Sequence, residues 1–195
     1  MLDNRNHLKA ISNIFIIAAF YVLSYWLWRV LILSPSTALS DLGSLFFIPH
    51  GVRILSAILF GWLGVVGTLV GEIYAPHIIL DNPEASSIYD AGESLVGALS
   101  PMLAILILRW AGLWSPSLKT HQLFKKLNIK LLILIIFISS AINALLSNLI
   151  TALNGEVSVR SPMTIFNFLV GDIAGAFFIM SLALIVMTRF NSYKK

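Results

Sequence analysis

Apolar runs about as long as a bilayer is thick recur along this chain, and they constrain its fold more than any other feature. Of its 195 residues, 58% are hydrophobic and only 11% are charged. A transmembrane helix needs roughly 20 consecutive, mostly apolar residues. Because every backbone polar group must find a partner inside lipid, such runs form helices. The pattern predicts an all-α fold, a polytopic bundle of transmembrane helices.

We expect a single integral membrane domain over residues 1–195, because no polar stretch is long enough for a second folded domain. It should have about six spans, of which the second and third are short or broken. The expected ranges are approximately 11–33, 47–61, 63–75, 91–113, 131–153 and 164–187.

The region 45–75 is divided in two because about 31 residues are too many for one upright span and few for two. Gly61 and Gly64 mark the expected break. Pro49 and Gly51 predict a non-helical start to the region, which membrane depth permits only where protein or water covers the backbone.

The charges between the spans predict the orientation, because cytoplasmic loops carry an excess of Lys and Arg. With six spans, both termini and the loop 114–130 share one side, which holds most of the basic residues. The loop 76–90 on the other side is acidic and has neither Lys nor Arg. We therefore expect both termini in the cytoplasm. The formal net charge of +4 then has a topological origin, so the bilayer, and no nucleic acid, is the expected partner.

Four charged residues lie inside the apolar runs, namely Arg53, Glu72, Glu93 and Asp172. A charge at bilayer depth costs a few kcal/mol and persists when it has a partner or a task. Arg53 is the one cation among the four and can bridge two carboxylates. At least one acid is then expected unpaired or protonated. The four form either an ion-pair network that fixes helix register or a polar pocket for a ligand or a proton. The remaining alternative is that Glu93 lies at the membrane interface and outside this group.

Two further polar residues join these candidates. His50 follows Pro49 and is either a hydrogen-bonding structural residue or a group that titrates near neutral pH. Asn143 lies on one face of the fifth span with Ser139 and Ser147, at four-residue intervals. Such a face either makes interhelical hydrogen bonds or lines a cavity. The candidate pocket residues are thus His50, Arg53, Glu72, Glu93, Asn143 and Asp172.

Two pairs of glycines four residues apart predict close helix packing, Gly67 with Gly71 and Gly171 with Gly175. Small residues at this spacing let helix backbones approach each other. The alternative is that one pair forms the face of a homodimer. An acid directly follows Gly71 and another follows Gly171, so both acids are expected to point into the bundle.

No catalytic constellation is present in the sequence. It has no Ser–His–acid spacing, no phosphate-binding glycine loop and no H-E-x-x-H motif. It has no cysteine and no histidine pair at ligand spacing. We therefore expect no enzyme activity, no metal and no cofactor.

Four segments, in this order, carry a resemblance to a known family: FFIPHG, FGWLGVVGTLVGEIYA, GESLVGAL and FLVGDIAGAFFIMSLALIV. Over roughly residues 46–187 the chain resembles the bacterial membrane-associated sensor domain of the MASE-one type. The matching positions are Pro49, Gly51, Gly71, Glu93, Gly97, Gly171, Asp172 and Gly175. The resemblance implies a multi-pass protein of the bacterial cytoplasmic (inner) membrane that senses a signal and has no chemistry of its own.

This chain departs from that family in two respects. The family has about eight spans, usually fused to a histidine kinase or a diguanylate cyclase, whereas six spans and no output domain are expected here. His50 and Arg53 stand where the family has small or polar residues. Signal transfer would then require a separate output or complex partner protein.

Two other functions fit the same pattern. The chain is similar in size and span count to the substrate-binding subunits of energy-coupling-factor transporters, which dock their energising subunit through faces of small residues. It also fits a structural accessory subunit of a larger membrane complex, in which the buried charges only set register.

Overall fold

The computed structural model describes residues 4–32, 45–80, 88–114, 129–153 and 162–192. These residues form six helices and no strand. The helices are α1 (Asn4–Ile32), α2 (Ile48–Phe60), α3 (Trp62–Leu80), α4 (Ile88–Trp110), α5 (Ile129–Leu153) and α6 (Pro162–Ser192). All but α2 are long and apolar enough to cross a membrane. The predicted all-α bundle of membrane helices is confirmed.

The predicted break between the second and third helices lies at Gly61. Its φ of 59° is in the left-handed region, which glycine adopts without the steric cost of a Cβ atom. The Gly61 N–H donates to the Ala57 carbonyl at 3.0 Å, and the Gly61 carbonyl accepts from Val65 N–H at 3.2 Å. The preceding helix α2 has only 13 residues, a length of about 20 Å.

Two expectations for this region were wrong. Pro49 and Gly51 do not form a non-helical start, because α2 begins at Ile48 with the proline in its first turn. Proline suits that turn, where its missing N–H has no helical acceptor and its φ is already helical. The third helix does not end at residue 75 but continues through Pro76 to Leu80. One lost hydrogen bond at Pro76 leaves fewer backbone groups unpaired in an apolar region than a helix end would.

Close glycine contacts show that α1 and α3 run in the same direction. A Cβ atom on Gly67 would lie 2.7 Å from the Cβ of Ile17, and one on Gly71 would lie 2.8 Å from the Cβ of Tyr21. Such separations are too short for real Cβ atoms, so glycine is what lets the two helices approach this closely.

Helices α2 and α6 are also parallel and in close contact. A Cβ atom on Gly175 would lie 2.8 Å from the backbone nitrogen of Ile48, and one on Gly51 would lie 2.6 Å from the Cβ of Ile179. The Gly171 carbonyl accepts a hydrogen bond from Phe47 N–H at 2.9 Å. The glycine faces that the sequence singled out thus pack against helices of the same chain.

The remaining contacts fix the two ends of the bundle. The pairs Ser100–Ser139 and Glu93–Thr151 show that α4 and α5 are antiparallel. The polar end is the end at which α1, α3 and α5 finish and α2, α4 and α6 begin; the apolar end is the opposite one. The core of the apolar end consists of Ile54, Ala57, Ile58, Ala104, Ile105, Leu108, Trp114, Leu131, Ile135, Ile136, Ala176 and Met180.

The orientation of this bundle in a membrane stays a prediction. Most of the charges that support it lie outside the described residues, among them Lys119, Lys125, Lys126, Arg160 and Lys194. The acidic loop residues Asp81 and Glu84 lie outside them as well.

Candidate functional site

Arg53 on α2 and Glu72 on α3 form an ion pair near the polar end of the bundle. The Arg53 Nε donates to Glu72 Oε2 at 3.1 Å, and Nη2 donates to Oε1 of the same carboxylate. Nη2 also donates to the Tyr21 hydroxyl on α1 at 3.1 Å. Arg53 is 4% exposed. A bidentate pair of this kind fixes both distance and orientation between two helices.

Gly97 on α4 makes room for this pair. A Cβ atom at position 97 would lie 2.7 Å from the Arg53 Cζ and 2.8 Å from Glu72 Oε1. Any larger residue would therefore displace the guanidinium or the carboxylate.

His50 continues the network from Arg53 towards α5. Its Nδ1 lies 3.5 Å from Arg53 Nη1, and its Nε2 lies 3.2 Å from the Ser139 Oγ. A guanidinium only donates, so Nδ1 accepts and the ring proton on Nε2 is donated to Ser139.

The chain of hydrogen bonds passes from Ser139 to Ser100 and ends on a backbone carbonyl. The two hydroxyl oxygens lie 3.4 Å apart, and Ser100 Oγ donates to the Gly97 carbonyl at 3.1 Å. Four residues after Gly97 comes Pro101, inside α4, which has no N–H to offer that carbonyl. Ser100 thus supplies a donor where the helix lacks one.

Asp172 on α6 is held from α5. Asn143 Nδ2 donates to Asp172 Oδ2 at 2.7 Å, and Ser147 Oγ donates to Asn143 Oδ1 at 3.5 Å. The same Asp172 oxygen lies 3.7 Å from His50 Nδ1, beyond hydrogen-bond distance. Asp172 is 1% exposed, so its carboxyl group belongs to the interior of the bundle.

Glu93 on α4 is partly buried and contacts the last turn of α5. Thr151 Oγ1 donates to Glu93 Oε1 at 2.6 Å and also lies 3.0 Å from the Ser147 carbonyl. The hydroxyl has one proton, so these two contacts share it. The polar face of α5 thus extends one step of four residues beyond Ser147.

A cavity of about 320 Å³ lies beside these groups, and we call it the polar cavity. Its polar wall consists of Arg53, Glu72, Glu93, Asn143, Ser147 and Asp172. Its aromatic wall consists of Tyr25, Trp28, Phe47 and Phe168. All six helices border the polar cavity, with Phe47 standing directly before α2.

The six residues predicted from the sequence therefore lie in one region. Five of them line the polar cavity, and His50 lies behind it between Arg53 and Ser139. The sequence suggested that Arg53 bridges two carboxylates. In the structure its Nε and Nη2 atoms both donate to the same carboxylate, that of Glu72.

Sequence reasoning missed two parts of the site. Thr151 could have been found, because it continues the four-residue spacing of Asn143 and Ser147. Tyr25 and Trp28 lie in the second half of the first span, where aromatic side chains are typical of the membrane interface, and nothing in the sequence separates that role from lining a cavity. The residues that the structure describes include no group of three His, Asp or Glu side chains able to hold a metal ion.

A larger groove of about 1210 Å³ lies between α1 and α3. Its lining is mostly apolar and includes exposed side chains such as Phe15, Leu23 and Ile78. Apolar side chains exposed on a membrane helix face lipid tails, which are as apolar as they are. Lipid tails are therefore sufficient to explain this groove, and we propose no other ligand for it.

Comparison with protein-family models, with curated proteins and with solved structures found no match. A fold alone does not determine function, so a function for this protein has to be inferred from the chemistry of the polar cavity.

Proposed function

We propose that this protein is an integral membrane sensory module that binds a small ligand in the polar cavity and passes the signal to a separate partner protein. The observation that supports this most is a cavity inside the bundle, walled by charged side chains and bordered by all six helices.

The contribution of every helix matters for signalling. A ligand shifts a conformational equilibrium only if it binds one arrangement of the protein better than another. A molecule in the polar cavity touches each helix, so its binding affinity depends on the relative positions of the helices. Displacement of Glu72 or Asp172 would alter contacts on two or more helices at once.

The size of the cavity favours ligand binding over a purely structural ion-pair network. A network that only fixes register is best served by close packing around its members. Here about 320 Å³ lies beside the charges, room for roughly ten water molecules at about 30 Å³ each. Space of this kind beside buried ionisable groups is typical of a binding site.

Orientation and family resemblance are consistent with the proposal. The positive-inside rule predicts that the polar end faces away from the cytoplasm, so the cavity would sample signals from outside the cell. The MASE-one resemblance includes Glu93, Gly97 and Asp172, all beside the cavity or the ion pair. We propose that the protein lies in the bacterial inner membrane with both termini in the cytoplasm.

The test replaces Asp172 by Asn in the native host and compares the transcript profile with those of the wild type and a null strain. We expect Asp172→Asn to reproduce the null profile while the protein level stays near that of the wild type. Leu145→Ala is the control, because Leu145 is 63% exposed on α5, and it should leave the profile unchanged. If the null strain itself shows no change, the sensory proposal is wrong.

The same strains separate sensing from transport. A transporter subunit would make uptake of a labelled compound depend on this gene and on Asp172. The transport hypothesis relies on free small-residue faces for docking, but Gly67 and Gly71 pack on α1, and Gly175 packs on the start of α2. We therefore expect uptake profiles of the null strain and the wild type to coincide.

A further inference from the structure

The lining of the polar cavity is acidic. It contains one guanidinium and three carboxyl groups among the described residues. Arg53 and Glu72 neutralise each other in a bidentate pair. Asp172 receives its hydrogen bond from Asn143, an uncharged donor. A positive guest would stabilise the ionised forms of Asp172 and Glu93, whereas a negative guest would be repelled by them, so the cavity favours a cation over an anion.

Arg53 has little capacity left to bind an anion. A guanidinium has five N–H donors. Glu72 takes two of them, the Tyr21 hydroxyl takes a third, and His50 Nδ1 takes a fourth. A ligand carboxylate would find at most one remaining N–H on Arg53 and would face the Asp172 carboxyl group.

The aromatic wall adds a second, independent attraction for a cation. The rings of Tyr25 and Trp28 lie 5.5 Å apart, and those of Trp28 and Phe47 lie 5.1 Å apart in an edge-to-face arrangement. Aromatic faces attract cations, and clusters of such rings bind alkylated ammonium groups. The Arg53 Cζ already lies 5.3 Å from the centre of the Phe47 ring, so this wall accommodates positive charge.

We propose that the ligand of the polar cavity is a small organic cation with an alkylated ammonium group, held between the aromatic wall and the Asp172 and Glu93 carboxylates. This inference rests on the binding site of the proposed function but not on signalling through a partner. An alkylated ammonium fits because it gives up little hydration on entering the membrane and matches a wall that is half apolar. A bare metal ion fits poorly, because the described residues provide no cluster of ligands for one.

The test is isothermal titration calorimetry on the full-length protein in lipid nanodiscs with three probes of similar shape. Choline carries the cation. Its carbon isostere replaces the trimethylammonium group by an uncharged tert-butyl group. Glycine betaine keeps the trimethylammonium group and has a carboxylate in place of the hydroxymethyl group. We expect choline to bind at least about tenfold more tightly than the isostere, because only choline brings a positive charge to the aromatic rings and the carboxyl groups. Betaine should bind more weakly than choline.

Matched variants then locate the binding site. Trp28→Leu should weaken choline binding at least about threefold, whereas Trp110→Leu, at a residue 91% exposed and far along α4, should leave it unchanged. Asp172→Asn and, as a second variant at a less buried carboxyl, Glu93→Gln should each weaken binding about tenfold or more. One of the two is sufficient if the other fails to fold.

Three outcomes of the probe comparison overturn the proposal: choline does not bind, the isostere binds as tightly as choline, or betaine binds more tightly than choline. Choline binding that is equally strong in Trp28→Leu, Asp172→Asn and Glu93→Gln also overturns it, because the cation would then bind elsewhere. The proposed sensory function has a different failure, an unchanged transcript profile in the null strain. Each idea can therefore fall without the other.

Discussion

The two ends of this bundle are held together in different ways. The apolar end is a cluster of aliphatic side chains, with Trp114 as its one aromatic member among the described residues. Among the described residues, the polar end is a network of hydrogen bonds that includes the Arg53–Glu72 ion pair and connects all six helices. In a bilayer, aliphatic side chains gain little by leaving lipid, so only close packing favours the apolar cluster. Polar groups find no partner in lipid at all, so the polar end determines which helices meet and in what register.

Helix α4 shows the contrast within one element. At the polar end it carries Gly97 and Ser100, small residues that leave room for the ion pair and donate to a backbone carbonyl. At the apolar end it carries Ile105 and Leu108, both at most 2% exposed, which fill space. The polar end of α4 thus makes room for the candidate site, and its apolar end packs in the hydrophobic core.

The largest expected effect comes from removing the ion pair. Arg53→Gln leaves the partly buried Glu72 carboxyl without its partner, and breaking a buried pair on one side costs about 3–5 kcal/mol. Thermal and denaturant unfolding in detergent measure the loss. The control is Lys130→Gln at an exposed residue of α5, expected to change stability by less than about 0.5 kcal/mol.

The double variant sharpens this result. Arg53→Gln combined with Glu72→Gln should recover part of the lost stability, because no unpaired charge then remains. Equal stability of the Arg53→Gln and Lys130→Gln variants would contradict the view that the polar end holds the bundle together.

A smaller effect is expected from filling the space around the pair. Gly97→Ala places a Cβ atom 2.7 Å from the Arg53 Cζ, and overpacking of this kind costs about 1–3 kcal/mol. Gly92→Ala on the same helix is the matched control, because its Cβ atom would lie 3.5 Å from Ile150, an ordinary contact. Alanine favours a helix by up to about 1 kcal/mol over glycine, so this control should be neutral or stabilising. Reversal of the order of the two variants in a thermal unfolding series would refute the packing account.

The smallest expected difference lies between two adjacent hydroxyls. Ser139 and Ser140 are both 0% exposed, but Ser139 bonds His50 and Ser100, whereas Ser140 Oγ has no hydrogen-bond partner within the described residues. Ser139→Ala should cost about 1–2 kcal/mol, because it leaves the His50 Nε2–H without an acceptor. Ser140→Ala should cost nothing or stabilise the protein. Thermal unfolding of the two variants side by side measures the difference. Equal losses of stability would argue that the hydrogen bond between His50 and Ser139 does not stabilise the fold.

Much of the fold follows from hydropathy and glycine positions. Long apolar runs predict spans, Gly61 predicts the break, and Gly67 with Gly71 predicts a close helix contact, because these signals act locally along the chain. The pairing of Arg53 with Glu72 could also have been predicted from the sequence. Arg53 precedes Gly61 by eight residues and Glu72 follows it by eleven, so a hairpin folded at Gly61 brings them to similar depth.

The composition of the cavity could not be predicted in the same way. The contact between Asn143 and Asp172 depends on the rotation of α5 against α6, and Trp28 lines the cavity only because α1 packs parallel to α3. Hydropathy fixes neither helix rotation nor neighbour choice, since any apolar face suits lipid or another helix.

The shortness of α2 has a consequence for biogenesis. Its 13 residues fall well below the roughly 20 that a lone spanning helix requires, and an arginine at the centre of an inserting helix costs about 2.5–3.5 kcal/mol. The segment is therefore a poor substrate for the insertion machinery by itself. Paired across the turn at Gly61 with α3, which brings Glu72, it becomes a helical hairpin whose charges are already matched. The translocon would thus have to retain α2 until α3 has been synthesised, so that the two enter the bilayer as one unit.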